Sequence, residues 1–151
     1  MPRRPSIAEG PLLLSRLVGR LRAELVSVAE RELNRSGYGL TFTQFLALKL
    51  LGDDTSLTPV ELARALHYSP GALTRLLDGL QDRKLLCRRP DPSDRRAVRL
   101  ELTVTGKAMR KRALQVCAVA ADRAFACLST QEQDALRTLL TRVLDQVQQA
   151  A

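Results

Sequence analysis

Residues 58–83 read TPVELARALHYSPGALTRLLDGLQDR, and two helix starts stand within this one stretch. Thr58-Pro59-Val60-Glu61 supplies an N-cap, a proline at the first helical position and a glutamate placed to return a hydrogen bond to the cap. A few residues on, Ser69-Pro70 repeats the cap and the proline. Val60, Leu62, Ala63 and Leu66 are expected to face inward on the first helix, and Leu73, Leu76, Leu77 and Leu80 on the second. The other side of the second helix presents Gly71, Ala72, Arg75, Asp78, Gly79 and Asp82. Two short helices joined by His67-Tyr68-Ser69 follow the plan of a helix-turn-helix.

The next segment, RRPDPSDRRAVRLELT at residues 88–103, reads as a hairpin. Residues 86–89 form one expected strand and 97–103 the other, with Val98, Leu100 and Leu102 on one face. Pro90 and Pro92 cannot donate ladder hydrogen bonds, so they confine the intervening residues to a loop and stiffen it. Arg95 and Arg96 are thereby carried on a projecting tip, which makes the plan a winged helix-turn-helix.

Longer helices flank this unit. Pro11 can open one, with Leu14, Leu17, Val18, Leu21, Leu25 and Val28 at helical spacing and Gly37 and Gly39 closing it. Thr41 with Gln44 opens another, whose stripe is Phe42, Phe45, Leu46 and Leu50, ending at Gly52. After the hairpin, Thr103 or Thr105 caps a helix running to about Cys127, with Ala108, Leu114, Val116, Val119 and Ala120 as apolar positions. Ser129 with Glu132 starts the last helix, striped by Leu136, Leu139, Leu140, Val143, Leu144 and Val147. The expected fold is mainly α with a small β-hairpin wing. Residues 1–36 would be an N-terminal dimerisation helix, 37–106 the winged helix-turn-helix, and 107–151 C-terminal dimerisation helices. One small helix-turn-helix cannot cover three strongly amphipathic helices, so a homodimer is expected.

Composition agrees with this plan. The chain has 151 residues, 45% hydrophobic but only 3% aromatic and without tryptophan, so its core must be aliphatic. The formal charge is +8, and residues 83–99 concentrate seven basic groups against Asp91 and Asp94. Such a cluster implies an anionic partner, nucleic acid before a membrane surface. Three widely spaced cysteines, Cys87, Cys117 and Cys127, argue against a secreted disulfide framework. With no CxxC and one histidine, no metal site and no cofactor are expected. Glu9, Pro11 and Arg16 break up any export signal, and no apolar run approaches membrane-spanning length, so a cytoplasmic location without membrane contact is expected. No Ser-His-Asp set, phosphate loop or paired carboxylates can be assembled, which speaks against an enzyme.

The expected chemistry is recognition of double-stranded DNA. A helix over residues 70–83 would enter the major groove with its N-terminal turn nearest the bases. Ser69 and the free amides of the turn that follows Pro70 can bond a phosphate. Gly71 and Ala72 permit close approach, and Ala72 could meet a thymine methyl. Arg75 suits the two acceptors of guanine, while Thr74 can reach base or backbone. The competing reading of Arg75 is a surface salt bridge to Asp78 or Asp82. At the wing, Arg95 and Arg96 can enter the minor groove, Asp94 can orient Arg96, and Arg88 joins them from the first strand.

LARALHYSPGALTRLLDGLQDRKLL followed by RRPDPSDRRAVRLELTVTG closely resembles the MarR family of winged-helix transcription regulators. The Ser-Pro-Gly-x-x-Thr-Arg helix, the Asp-Pro-x-Asp-Arg-Arg wing and the Leu-Thr-x-x-Gly exit carry the resemblance. It implies an obligate triangular dimer, helices from both termini interlaced, a pseudo-palindromic operator, and repression relieved by a ligand or by cysteine oxidation. On that pattern Arg96 matches the arginine that enters the minor groove and Asp94 its orienting carboxylate. One departure is Lys84, where family members commonly have glycine. Lysine must accept a positive φ there or leave the helix by another route.

The resemblance places an effector cleft between the dimer helices and the winged domain. Candidate walls are Leu33, Tyr38, Phe42, Phe45 and Met109, with Arg16 or Arg20 holding an anionic group. Such a cleft would suit a small lipophilic or phenolic effector. Cysteine oxidation is the competing trigger. However, the first helix lacks the cysteine of the peroxide-sensing branch, and Cys117 and Cys127, about 15 Å apart on one helix, cannot bridge within a chain. Cys87, beside Arg88 and Arg89, is the remaining candidate thiolate. A basic helical adaptor for acidic protein or membrane is the alternative to a DNA-binding role.

Overall fold

The structure, a computed structural model, describes residues 9–52, 57–91 and 97–150. Helix α1 spans Glu9–Arg35, starting two residues before Pro11, which lies in the first turn where its missing N–H costs nothing. The chain leaves α1 through Gly37 and Gly39, at φ +74° and +57°. Helix α2, Phe42–Leu50, carries a complete capping box: Gln44 N donates to Thr41 Oγ1 at 3.2 Å and Thr41 N to Gln44 Oε1 at 3.1 Å. Helices α3, Pro59–Leu66, and α4, Pro70–Asp82, begin at the two expected starts. Thr58 and Glu61 form the reciprocal pair, and Ser69 Oγ accepts from Ala72 N.

Strand β1, Leu86–Pro90, pairs antiparallel with β2, Val98–Leu102, placing Arg88 opposite Leu100. Leu57 extends the sheet by one bridge, its carbonyl accepting from Leu100 N at 2.8 Å. Helix α5, Val104–Phe125, is capped by Thr103, and α6, Thr130–Gln149, by Ser129 with Glu132. The hydrogen bonds to their cap backbones hold the Glu61 and Glu132 carboxyls below the usual carboxylate range. Both caps therefore contribute fully above the ordinary carboxylate pKa and weaken as acid protonates the folded state.

Leucine dominates the core. Leu33, Leu40, Leu48, Leu62, Leu77, Leu80, Leu85, Leu86 and Leu100 are fully buried, joining α1, α2, the helix-turn-helix and the hairpin. Several expected inward positions differ. Val60 is 62% exposed, because the first turn of α3 overhangs a surface groove, and Leu50 and Ala108 also face outward. The buried residues of α5 are the small ones, Gly106, Ala113 and Ala120, and the helix packs against α1, where Ala29 is buried. Small residues on both sides let two helices approach closely, and they yield a weak apolar signal in the sequence.

Lys84 takes the strained option at φ +56°. Its N–H reaches the Gln81 carbonyl at 2.8 Å, and its own carbonyl accepts from Thr103 Oγ1 at 2.6 Å. A left-handed conformation costs an L-residue about 1–2 kcal/mol, partly offset by the greater chain entropy glycine loses on folding. Lys84→Gly is therefore expected to raise stability by about 0.5–1 kcal/mol and Lys84→Val to lower it, as read from urea midpoints.

A second apolar surface remains open. Leu12, Leu13, Leu14, Leu17, Val18 and Leu21 on α1 are exposed, as are Leu139, Val143, Leu144 and Val147 on α6.

Candidate nucleic-acid interface

Helix α4 presents the face expected of it. Ser69, Pro70, Gly71, Thr74 and Arg75 are exposed, and Ala72 is half-buried beside them. A Cβ added at Gly71 would meet nothing within 4 Å, so the fold itself does not require a small residue there. Thr74 Oγ1 donates to the Pro70 carbonyl at 2.9 Å, leaving its lone pairs outward. Arg75 makes no hydrogen bond or ion pair among the described residues. Asp78, its expected rival partner, instead accepts from Arg88 Nη2 at 2.7 Å.

Arg88, expected at the DNA surface with the wing arginines, is also engaged within the fold. It spans from β1 to α4, holding Asp78 and also Gln81 Oε1, at 2.9 Å. A bidentate guanidinium is suited to such a bridge, fixing the hairpin's root against the recognition-type helix.

The wing-tip candidates Asp94, Arg95 and Arg96, with Pro92, lie outside the described residues. The root of the wing is built around Asp91, which is 6% exposed and accepts from Arg99 Nε at 2.6 Å. The Asp91 N–H bonds the Ala97 carbonyl at 3.0 Å, closing the loop's base. In the sequence Asp91 opens the Asp-Pro-x-Asp-Arg-Arg wing motif, with no partner assigned to it. An aspartate between two prolines, with an arginine across the hairpin, was the available signal.

The candidate effector wall behaves mainly as core. Leu33 and Phe45 are buried, while Tyr38, Phe42 and Met109 pack half-buried against the same cluster. The Phe42 and Phe45 rings meet at a tilt of 45°, their centroids 5.8 Å apart. Arg16 and Arg20 are not brought to this cluster within one chain. They sit on the exposed part of α1, each thirteen residues before its buried positions Ala29 and Leu33, about 20 Å along the axis. An open groove of about 1120 Å³ instead lies between α3, α4 and β1. Pro59, Val60, Ala63 and Leu73 give it apolar walls, with Arg64, His67, Thr74 and Arg88 among its polar groups.

Of the cysteines, Cys117 is half-buried in α5, and burial pushes its thiol up, only partly opposed by Lys49. Such a thiol stays protonated and is a poor nucleophile. Cys87 is half-buried in β1, and Cys127 is exposed beyond the end of α5. No single described helix is long and apolar enough to cross a membrane.

Comparison with known proteins sharpens the picture. Residues 38–97 match the sequence profile of the MarR family. The chain is 33% identical over 108 residues to the HTH-type transcriptional repressor Rv2887 of Mycobacterium tuberculosis, covering 72% of this chain and 78% of that protein. With the transcriptional repressor MprA of Escherichia coli it shares 33% over 144 residues, 91% of this chain and 80% of the other. Among solved structures, a cysteine-to-serine mutant of E. coli MarR complexed with operator DNA superposes with a TM-score of 0.79 at 29% identity, over 93% of this chain and 99% of that one. The Rv2887 complex with salicylic acid gives 0.71 at 31% identity, over 86% and 95%.

Proposed function

The chain belongs to the MarR family of winged helix-turn-helix, DNA-binding transcription regulators, and on that premise we propose a repressor that binds a pseudo-palindromic operator as a homodimer and leaves it when a small lipophilic or phenolic ligand binds. The observation that carries this reading is the outer face of α4. Arg75, which has no hydrogen bond or ion pair among the described residues, stands there beside a glycine whose missing side chain the fold does not need. Residues 1–36 and 107–151 would clasp the two copies, covering the open apolar faces of α1 and α6. Residues 37–106 would read DNA through Ser69, Pro70, Gly71, Ala72, Thr74 and Arg75, with Arg95 and Arg96 in the minor groove and Asp94 orienting Arg96. Arg88 serves this binding from behind, by holding the wing root to α4.

The groove between α3, α4 and β1 is the preferred effector site. A phenolic acid could lie on its apolar wall with its carboxylate near Arg88 and Thr74. Drawing Arg88 from Asp78 would loosen the tie between wing and reading helix, which favours the free protein over the DNA-bound one. The operator complex and the salicylic acid complex of its relatives support each half of this cycle. Ligand release is preferred to cysteine oxidation because a relative is solved with salicylic acid bound, and Cys87, the remaining candidate thiol, is half-buried in β1.

The test is binding to an inverted-repeat duplex against a random duplex across a salt series. The specific duplex is expected to bind at least about a thousandfold more tightly. Arg75→Ala should cost about 1–3 kcal/mol at one base position and relax preference there. Arg96→Ala should weaken all duplexes and flatten the salt slope. Added salicylate should release wild type, whereas Arg88→Ala, already without the tie to Asp78, should bind the operator more weakly from the outset and respond little to salicylate. Wild-type operator binding by both Arg75→Ala and Arg96→Ala would overturn the assignment.

A further inference from the structure

The far end of the reading helix is clamped on two sides. Arg83, the half-buried C-cap of α4, donates through Nη1 to the Gly39 carbonyl at 2.8 Å and through Nη2 to the Tyr38 carbonyl at 2.5 Å. Both carbonyls lie in the turn joining α1 to α2, which Gly37 and Gly39 hold in a left-handed shape. On the other side, Thr103 at the start of α5 donates its hydroxyl to the Lys84 carbonyl at 2.6 Å and its N–H to the Leu85 carbonyl at 3.1 Å. The end of α4 is therefore tied directly to the turn that ends α1 and to the residue that begins α5. The open apolar faces of α1 and α6 are the surfaces a second copy would cover.

We propose that Arg83 is a positioning residue for operator recognition: its two-pronged bond to the Tyr38 and Gly39 carbonyls sets the pitch of α4 relative to α1, and so the separation of the two reading helices in the dimer. This rests on the operator-binding reading above. Half-sites on B-form DNA must lie about 34 Å apart, so the two reading helices have little latitude. Helix α4 has thirteen residues, so it is about 20 Å long, and a tilt of about 10° moves one end against the other by roughly 3.5 Å, close to the rise of one base pair. A single pair of hydrogen bonds at the helix end is thus enough to decide a register of one base pair. The fixed fork of a guanidinium meets two neighbouring carbonyls at once. The ammonium of a lysine would be a compact charge on a flexible stem, without that fork.

The experiment uses the full-length protein and an inverted-repeat duplex that it selects from a random pool. The same half-sites are then set one base pair closer and one base pair farther apart. Wild type is expected to prefer the selected spacing at least tenfold. Arg83→Gln should remain dimeric by sedimentation and keep its base preference within a half-site, while its spacing preference falls below threefold. Arg83→Lys, less disruptive to folding, should fall between the two. Reduced thermal stability with an unchanged spacing profile in either variant would mean that Arg83 only holds the fold together, and would overturn the proposal. A wild type with no preference for any paired half-sites would overturn the operator reading itself, and this proposal with it.

Discussion

Gly106→Ala is expected to lower the urea midpoint more than any other single-methyl addition to the chain. A Cβ at this position would overlap the Leu85 carbonyl oxygen, and backbone rather than a pliable side chain stands in the way. Neither partner can yield. The Leu85 carbonyl accepts from Thr103 N, and the Gly106 N–H donates to Thr103 Oγ1 at 3.0 Å, so α5 begins pressed against the residue following the turn at Lys84. Separating them would break the Thr103 cap and the Lys84 carbonyl contact together. A cost of about 3 kcal/mol or more is expected, a large share of the roughly 5–15 kcal/mol that holds a domain of this size. Gly71→Ala is the control. It sits inside α4 facing open space, where an alanine should leave the midpoint unchanged or raise it by up to about 1 kcal/mol. Equal midpoints for Gly106→Ala and wild type would show that α5 does not start against Leu85. The close approach also gives a physical reason for the Leu-Thr-x-x-Gly exit: threonine caps the helix and glycine lets it dock.

What was legible in the sequence was local. Thr41, Thr58, Ser69, Thr103 and Ser129 each bond an amide within three residues, so the helix starts could be read from neighbours alone. The two prolines and the alternation of Val98, Leu100 and Leu102 gave the hairpin for the same reason. Contacts across long stretches of chain were not legible. Val60 carries an inward-facing residue type, yet its exposure depends on where α4 and β1 leave space. Arg83 meets backbone carbonyls forty-four and forty-five residues away, and a carbonyl has no signature in sequence. Asp91 belongs to a legible wing motif, but its partner, Arg99, lies across the hairpin and was not legible. His67 adopts φ +54° as the C-cap of α3, a conformation that the sequence reading anticipated only at Lys84. The effector cleft is the hardest case: Leu33 and Phe45, two of its candidate walls, are buried in the core of the single chain, and composition alone does not tell a wall from a core. The groove on the other side of the helix-turn-helix arises from the packing of three elements that no single motif encodes.

Leu144→Glu is expected to yield a monomer at micromolar concentration and to reduce operator affinity by more than a hundredfold. The argument begins with exposure in the single chain. Leu14 at 64%, Leu17 at 54%, Val143 at 60% and Leu144 at 59% stand in stripes along α1 and α6 that their own chain does not cover. With Leu12, Leu13, Val18, Leu21, Leu139 and Val147 these make ten large side chains. Covering each by about half would return roughly 1 kcal/mol apiece, about 20 kcal/mol over two copies. That exceeds an association cost of about 4–15 kcal/mol. Twofold symmetry places the substituted position at the interface twice, so each charge must be buried without a partner or the interface must open. The winged segment keeps its own leucine core and should stay folded, which circular dichroism with the urea midpoint would check. One half-site per protein would then remain, and the affinity that comes from joining two sites is lost. Val104→Glu provides the comparison: Val104 is 87% exposed in the first turn of α5, away from both stripes, and its variant should sediment as wild type does. A Leu144→Glu protein that still sediments as a dimer would mean that these stripes are not the contact between copies.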